Sequence, residues 1–185
     1  RGDDFVVRTK YTNNTESAIK LRSYVVKVYL NNSLGAYDIN RMSGFGTSAN
    51  PYSLNEMLDI VREVKRYGKA IFITINSATY NQRELDKINK YFRLFADSGV
   101  DGVIVSTHEL TLMAKDAGLI PVASTMCGLF NGDLVNFYKK LGMTRMILPR
   151  DLSIAEITDI VRANPDLTYE VFLMRNGCQF SDSHC

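Results

Sequence analysis

The sequence has no long apolar run, few histidines and cysteines, and almost no excess of charge of either sign. No apolar run approaches the roughly 20 residues that a membrane-spanning helix needs, and nothing at the start resembles a signal peptide. The 22 basic and 20 acidic side chains leave a net charge of +2, so bulk electrostatics give no indication of nucleic acid binding. Three cysteines, an odd number, argue against a secreted disulfide framework. We therefore expect a cytoplasmic protein without a membrane segment, in which clustered cysteines serve metal or redox chemistry.

The sequence also lacks the local motifs of several common enzyme classes. Its two histidines, His108 and His184, lie in neither a Gly-x-Ser-x-Gly nor a His-Glu-x-x-His pattern, so nothing supports a conventional hydrolytic triad. We expect His108 to lie in the first turn of a helix. No glycine-rich dinucleotide or phosphate fingerprint follows any predicted strand, which counts against a Rossmann enzyme.

What the sequence does contain is a repeated alternation of short apolar runs and longer amphipathic stretches. The apolar runs are continuous in hydrophobicity, as expected for the strands of a parallel sheet covered by helices. Seven strands are predicted: Phe5–Thr9, Val25–Leu30, Ala70–Asn76, Gly102–Ser106, Pro121–Ser124, Arg145–Leu148 and Tyr169–Met174.

The helices between these strands have recognisable ends. Ser53 with Glu56 and Ser153 with Glu156 fit the capping box. A glycine that suits a left-handed C′ position follows each of four helices and precedes a strand: Gly68, Gly99, Gly118 and Gly142. This order of helix, glycine and strand is typical of βαβ units.

These elements predict a parallel, TIM-like (β/α) barrel that lacks its eighth strand. The barrel domain spans residues 1–177, and residues 178–185 begin a cysteine-bearing segment that we expect to continue, because the chain opens on Arg1 without an initiator methionine and stops on Cys185. An open, doubly wound sheet is the alternative. In a barrel, the long polar connection Asn31–Tyr52 lies on the face formed by the carboxyl ends of the strands, where such folds place their sites.

The predicted strands end in a polar set of hydroxyl, amide and guanidinium groups that a barrel would bring to one mouth. Arg150 follows Pro149 and precedes a capped helix, so its guanidinium is suited to binding a carboxylate or phosphate through two hydrogen bonds. An ion pair with Asp151 or another neighbour is the alternative.

A pair of cysteines, Cys178 and Cys185, follows the last predicted strand with six residues between them. This spacing matches no standard zinc finger, but a folded loop can bring two thiolates to one zinc ion or iron–sulfur cluster. Two ligands are insufficient for either, so we expect further ligands from beyond Cys185. Cys127 is a candidate third ligand, and a small buried hydrophobic residue is the alternative interpretation.

Several blocks of the sequence match, in order, blocks of the collagenase-like peptidases, peptidase family U32. The last block is a strand with a Glu-x-Phe pattern, followed by a cysteine and a second cysteine seven positions later. The blocks in this chain are Ile75–Asn76, Gly99–Ser106, Ser124–Thr125, Leu148–Ser153 and Tyr169–Cys185. The chain therefore resembles a divergent member of that family. It departs from the family at Met174 and Arg175, where a His-Gly pair is usual, at Met126, where glutamine is usual, and at Ser183, where glycine is usual.

The resemblance implies a peptidase that acts on peptides or proteins, with a cysteine-ligated metal or cluster site. It also implies a second function, because relatives with this cysteine arrangement resemble iron–sulfur accessory proteins for hydroxylation of RNA or quinone precursors. A peptide-binding module without chemistry is a third hypothesis. For Glu170, a structural salt bridge in the barrel interior is the alternative to catalysis. The candidate residues are Glu170 and Arg150 for catalysis; Asn76, Ser124, Thr125 and Arg175 for substrate binding; and Cys178 and Cys185 for metal.

Overall fold

The computed structural model of the chain describes residues 27–31 and 54–172. The predicted strand Phe5–Thr9 and the candidate residues Arg175, Cys178 and Cys185 lie outside the described residues, as does most of the connection Asn31–Tyr52.

Strands and helices alternate along the described residues. The strands are β1 (Lys27–Asn31), β2 (Ala70–Ile75), β3 (Gly102–Val105), β4 (Ile120–Ala123), β5 (Arg145–Ile147) and β6 (Thr168–Glu170). The helices are α1 (Leu54–Arg66), α2 (Gln82–Asp97), α3 (His108–Asp116), α4 (Gly132–Lys140) and α5 (Ile154–Ala163), and a 3-10 turn spans Thr125–Cys127. The last predicted strand is shorter than expected, because β6 ends at Glu170.

The strands form one parallel sheet in the order β1-β2-β3-β4-β5-β6. Each new strand is added to the same edge of the sheet, as it is in a singly wound fold. A doubly wound sheet requires a reversal of this order, and the six described strands contain none. No pairing joins β1 to β6 within residues 27–31 and 54–172, so the described sheet is α/β, parallel and not closed.

The helix ends follow the local signals in the sequence. The predicted capping box of α5 is present, with the Glu156 amide donating to Ser153 Oγ and the Ser153 amide donating to a Glu156 carboxylate oxygen. Asn81 and Glu84 form a second capping box at the start of α2. The four glycines predicted to end helices all have positive φ, between 65° and 99°, so these positions require the left-handed conformation that glycine adopts without steric cost.

The helices pack on one side of the sheet, the helix-facing side. Side chains at alternate strand positions, such as Ile71, Ile73 and Ile75 of β2, point to this side and are at most 1% exposed. Phe92 and Phe95 of α2 are fully buried in the same hydrophobic cluster. This cluster is the main core of the protein.

The opposite side of the sheet, the inner face, carries a much smaller apolar cluster. Phe72, Ile104 and Val122 are buried there, with Ala70 and Ile147 packed against them. The register of the sheet places Thr74, Arg145 and Glu170 on this face as well: Thr74 pairs with Ile104, Arg145 with Val122, and Glu170 with Ile147.

Contacts between distant strands indicate that the inner face is concave. The Arg145 guanidinium lies 4.8 Å from the centroid of the Phe72 ring, although β3 and β4 separate their strands. Neighbouring strands lie about 4.8 Å apart, so three steps across a flat sheet cover roughly 14 Å. This contact supports a curvature of the sheet toward its inner face, on the side away from the helices.

Candidate functional site at the carboxyl ends of the strands

Three polar side chains are buried where β2, β3 and β4 end. Asn76, Ser106 and Ser124 are 1%, 5% and 2% exposed, and each directly follows the last residue of its strand. Strand alternation points all three to the inner face, because Ile75, Val105 and Ala123 before them belong to the helix-facing core. We call this edge of the inner face the mouth.

Asn76 and Ser124 meet across the mouth. Asn76 Nδ2 donates to Ser124 Oγ at 2.9 Å, although β3 lies between their strands. Ser124 Oγ also accepts from the Met126 amide at 3.2 Å and so caps the 3-10 turn that contains the buried Thr125. The structure thus brings together the predicted substrate-binding residues Asn76, Ser124 and Thr125, while their role stays a prediction.

Ser106 is held by the loop that follows β2. Its hydroxyl donates to the Ser77 carbonyl, and the Ser77 amide donates to the Tyr80 hydroxyl at 2.7 Å. Burial raises the pKa values of Tyr80 and Tyr138, so both phenols are neutral at physiological pH. These rings and His108 line a cavity of about 390 Å³ beside the mouth. Several neutral hydroxyl groups and the Glu109 carboxylate line it, and they are suited to hydrogen bonding.

Glu170 lies on the inner face next to Arg145. Arg145 Nη1 is 3.5 Å from Glu170 Oε1, close enough for an ion pair, and the two side chains are only 17% and 29% exposed. Arg145 Nε and Nη1 are buried and have no hydrogen-bond acceptor among the described residues. The structure therefore contains the salt bridge that was the alternative interpretation of Glu170. Sequence reasoning did not find Arg145 as its partner, although a charge at the start of an apolar strand was an available signal.

Arg150 lies just after β5, and Phe172 follows β6 by two residues. The Arg150 guanidinium carbon is 4.0 Å from the centroid of the Phe172 ring, which places the cation over the aromatic face. Phe172 is 46% exposed. The sequence indicated that Arg150 was a candidate, but it gave no indication of this aromatic contact.

His108 and Cys127 are not arranged as a nucleophile and its base. His108 begins α3, as expected, is 57% exposed in its side chain, and lies 3.2 Å from Glu109 Oε1. Cys127 is buried, its thiol donates to the Val105 carbonyl at 3.3 Å, and burial raises the pKa of Cys127 to about 12. Cys127 is therefore a protonated core residue at physiological pH. This agrees with the alternative interpretation of Cys127 as a small buried hydrophobic residue.

Within the described residues, no group of three or more histidine, cysteine, aspartate or glutamate side chains is gathered as a metal site would require. The predicted metal ligands Cys178 and Cys185 lie outside that part of the chain, so the metal site stays a prediction. No described helix is both long and apolar enough to cross a lipid bilayer.

Comparison with known families decides the relationship that the sequence blocks indicated. The model of peptidase family U32 matches residues 38–185. The chain belongs to peptidase family U32.

A solved structure of a U32 peptidase has a similar fold. It aligns with a TM-score of 0.58 and 16% sequence identity, over 87% of this chain and 72% of that chain. At this identity, the likeness bears on the fold alone.

The curated relatives of this U32 chain carry two kinds of name. It is 26% identical over 144 residues to the tRNA hydroxylation protein P1 of Bacillus subtilis. It is 29% identical over 144 residues to the 23S rRNA 5-hydroxycytidine synthase of Escherichia coli. It is also 26% identical over 142 residues to an uncharacterized protease of Methanocaldococcus jannaschii. These alignments cover 77%, 77% and 75% of this chain but only 34%, 21% and 34% of the relatives, so the chain spans about a third of their length or less.

Proposed function

We propose that this U32 segment takes part in the hydroxylation of bases in tRNA or rRNA, the second of the functions that the sequence blocks implied. The observation that carries the proposal is the set of relatives named for tRNA or rRNA hydroxylation, which align with 63–77% of the chain. Since those relatives are much longer, the chain supplies one part of such a protein.

The fold that we propose for the intact protein is a closed TIM-like barrel. Three observations support it: the sequential order of six parallel strands, the concave inner face, and the likeness to a U32 peptidase structure. In a barrel of this kind, the strand carboxyl ends form the functional face.

The chemistry of the mouth is suited to a nucleobase. Proteins recognise unpaired RNA bases by stacking on aromatic or guanidinium planes and by hydrogen bonds to the base edges. Asn76 and Ser124 place an amide and a hydroxyl group at the mouth, buried and paired with each other, and Arg150 lies over the Phe172 ring. An enzyme that modifies a base must also take it out of the helical stack, which requires a concave receiving surface.

The small net charge of +2 bears on backbone binding rather than on base recognition. Contacts to phosphates supply most of the salt-dependent affinity for nucleic acid, whereas contacts to bases supply specificity. In this proposal, most of the phosphate-binding surface lies in other parts of the longer protein, and this segment recognises the base.

We propose Cys178 and Cys185 as two ligands of an iron–sulfur cluster, with zinc as the alternative. Thiolates are the preferred ligands of both. Cys127 does not fit as a third ligand, because it is buried in the main core and its thiol donates to the Val105 carbonyl. When bound, a cluster would supply electron transfer. The remaining ligands come from outside this segment.

A peptidase is the second candidate, since one relative is named as an uncharacterized protease. Glu170 and Arg150 would then be the catalytic candidates. Glu170 lies beside Arg145 and Arg150 lies over Phe172, so each already has a contact that accounts for its position.

The proposed function is tested by deleting the gene in its native host and digesting tRNA and rRNA to nucleosides for mass spectrometry. We expect the loss of a nucleoside heavier than its parent by one oxygen atom, and its return when the full-length gene is restored. Unchanged nucleosides in both RNA pools would contradict the proposal. Cleavage of unstructured peptides by the purified full-length protein, lost in Glu170→Gln, would favour the peptidase instead.

The metal proposal is tested by anaerobic purification of the full-length protein with analysis of iron, zinc and sulfide. We expect Cys178→Ala and Cys185→Ala to lower the metal content. Cys127→Ala is the matched control, since it removes a thiol from the core, and we expect it to retain the metal. A metal content equal to that of the wild-type protein in Cys178→Ala and Cys185→Ala would rule out these two residues as ligands.

A further inference from the structure

The contact between Arg150 and Phe172 joins a guanidinium group to a partly exposed aromatic ring. The aromatic side chains Phe72, Phe92 and Phe95 are at most 3% exposed, as core residues are. Phe172 is 46% exposed, and a guanidinium lies 4.0 Å from its centroid. The cation restrains the ring while leaving nearly half of the side chain accessible to solvent.

The position of this pair places it at the mouth. Arg150 and Phe172 follow neighbouring strands, β5 and β6, at their carboxyl ends. Phe172 lies two residues beyond Glu170, which faces the inner side of the sheet next to Arg145. The Asn76–Ser124 hydrogen bond lies at the same edge of the sheet, at the ends of β2 and β4.

We propose that Phe172, held by Arg150, is the surface on which the target nucleobase of the RNA substrate stacks. This inference rests on the proposed function and adds the residue that receives the base. Every nucleobase has a π face, and a flat aromatic ring next to a fixed cation offers both stacking and charge attraction to it. The Arg150 charge also favours the phosphates that accompany an RNA base and that a quinone precursor lacks.

A second exposed phenylalanine provides a matched control. Phe137 of α4 is 45% exposed, nearly the same as Phe172, but it lies on a helix and packs edge-on against Tyr138 with a centroid distance of 5.2 Å. Its substitution removes a similar area of exposed aromatic surface away from the mouth.

The inference is tested by photo-crosslinking. The probe is a transcript of the RNA that loses its modification in the deletion strain, with 4-thiouridine at the modified position. The full-length protein is irradiated with this transcript, and the crosslinked peptide is mapped by mass spectrometry. We expect the crosslink at Phe172 or next to it. We expect Phe172→Leu to weaken binding of this RNA by roughly 5- to 150-fold, the range found when one base–aromatic stack is removed by alanine substitution. We expect Phe172→Tyr to retain binding and Phe137→Leu to leave it unchanged.

The outcomes separate this inference from the proposed function. If deletion abolishes a hydroxylated nucleoside but the crosslink maps away from Phe172, the stacking role is overturned and the function stands. If no nucleoside changes in the deletion strain, a tRNA transcript is used as the probe instead. A crosslink of that probe to Phe172 would overturn the proposed function and support the stacking surface. Equal losses of binding in Phe172→Leu and Phe137→Leu would also overturn the inference, as would peptide binding without any RNA crosslink. The wild-type crosslink does not depend on whether any variant folds.

Discussion

The two sides of the sheet are built from the same strands with different chemistry. On the helix-facing side, Ile71, Ile73 and Ile75 of β2 pack into one large apolar core with the helices. On the inner side of the same strand, Phe72 is followed by Thr74, and then by Asn76 at the mouth. Burial of apolar area on the first side stabilises the fold, whereas the second side buries polar groups at some cost unless they are paired. We infer that stability is concentrated on the helix-facing side and function on the inner face.

The largest expected effect is a loss of stability on the helix-facing side. Phe92→Ala removes a fully buried ring from the main core, and we expect it to lower the free energy of unfolding by about 3–5 kcal/mol. Urea denaturation of the purified protein measures this. Phe137→Ala, at a 45% exposed position, is the control, and we expect it to stay within about 0.5 kcal/mol of wild type. Equal costs at the two positions would contradict the assignment of the core.

The next effect concerns the ion pair on the inner face. Glu170→Gln leaves the guanidinium of Arg145, whose side chain is only 17% exposed, beside a neutral group. We expect a loss of about 2 kcal/mol, between the values for exposed and fully buried pairs. Arg145→Met combined with Glu170→Gln should recover part of it, because the buried charge is then gone. A double variant less stable than the single one would show that the contact of Arg145 with the Phe72 ring outweighs the cost of its buried charge.

A smaller effect is expected at the mouth. Asn76→Ala removes the donor at 2.9 Å from Ser124 Oγ, and we expect it to cost about 1–2 kcal/mol in urea denaturation. Asn76→Ala combined with Ser124→Ala should cost less than the sum of the two single changes, because both remove the same hydrogen bond. Strict additivity would show that the two side chains do not depend on each other.

The smallest effect is a dependence of stability on alkaline pH. Because burial raises the pKa of Cys127 to about 12, the folded state keeps a proton that the unfolded state loses above pH ~8.5. Stability from this thiol is therefore present below pH ~8.5 and is lost as the pH rises toward about 12. We expect a loss of about 0.7 kcal/mol between pH 8 and pH 9, measured as the shift in urea midpoint.

Cys127→Ala is the control for this pH dependence. The buried phenols of Tyr80 and Tyr138, whose pKa values are also raised, make their contribution at higher pH, above the ordinary range of tyrosine near 10. We therefore expect the variant to have a flatter profile between pH 8 and pH 9. An unchanged slope would mean that the thiol is accessible to water in the folded state.

Local signals in the sequence were sufficient for most of the fold. The apolar runs predicted the positions of the six described strands, and Gly68 and Gly142 ended helices as expected because their φ angles are positive. Capping of α5 by Ser153 was equally local. Such features depend on neighbours within a few residues, which the sequence displays directly.

The site was only partly predictable, because its contacts join residues that are far apart in the sequence. Asn76 and Ser124 were identified because polar residues follow strands, and parallel strands end at one edge. The partners Arg145 and Phe172 were missed, because their contacts depend on the sheet's register and curvature, which bring Arg145 to Phe72 across two intervening strands. The proposed closure of the barrel and the proposed cysteine ligands both concern residues outside the described part of the chain.

The most direct test of the division between the two sides is the level of the hydroxylated nucleoside in RNA from the deletion strain complemented with matched variants. Asn76→Ala changes the mouth at a cost of about 1–2 kcal/mol, and Ile88→Val changes the fully buried core at a cost of about 1 kcal/mol. We predict that Ile88→Val restores the nucleoside to the wild-type level, whereas Asn76→Ala does not. Equal restoration by the two variants would contradict the assignment of function to the inner face.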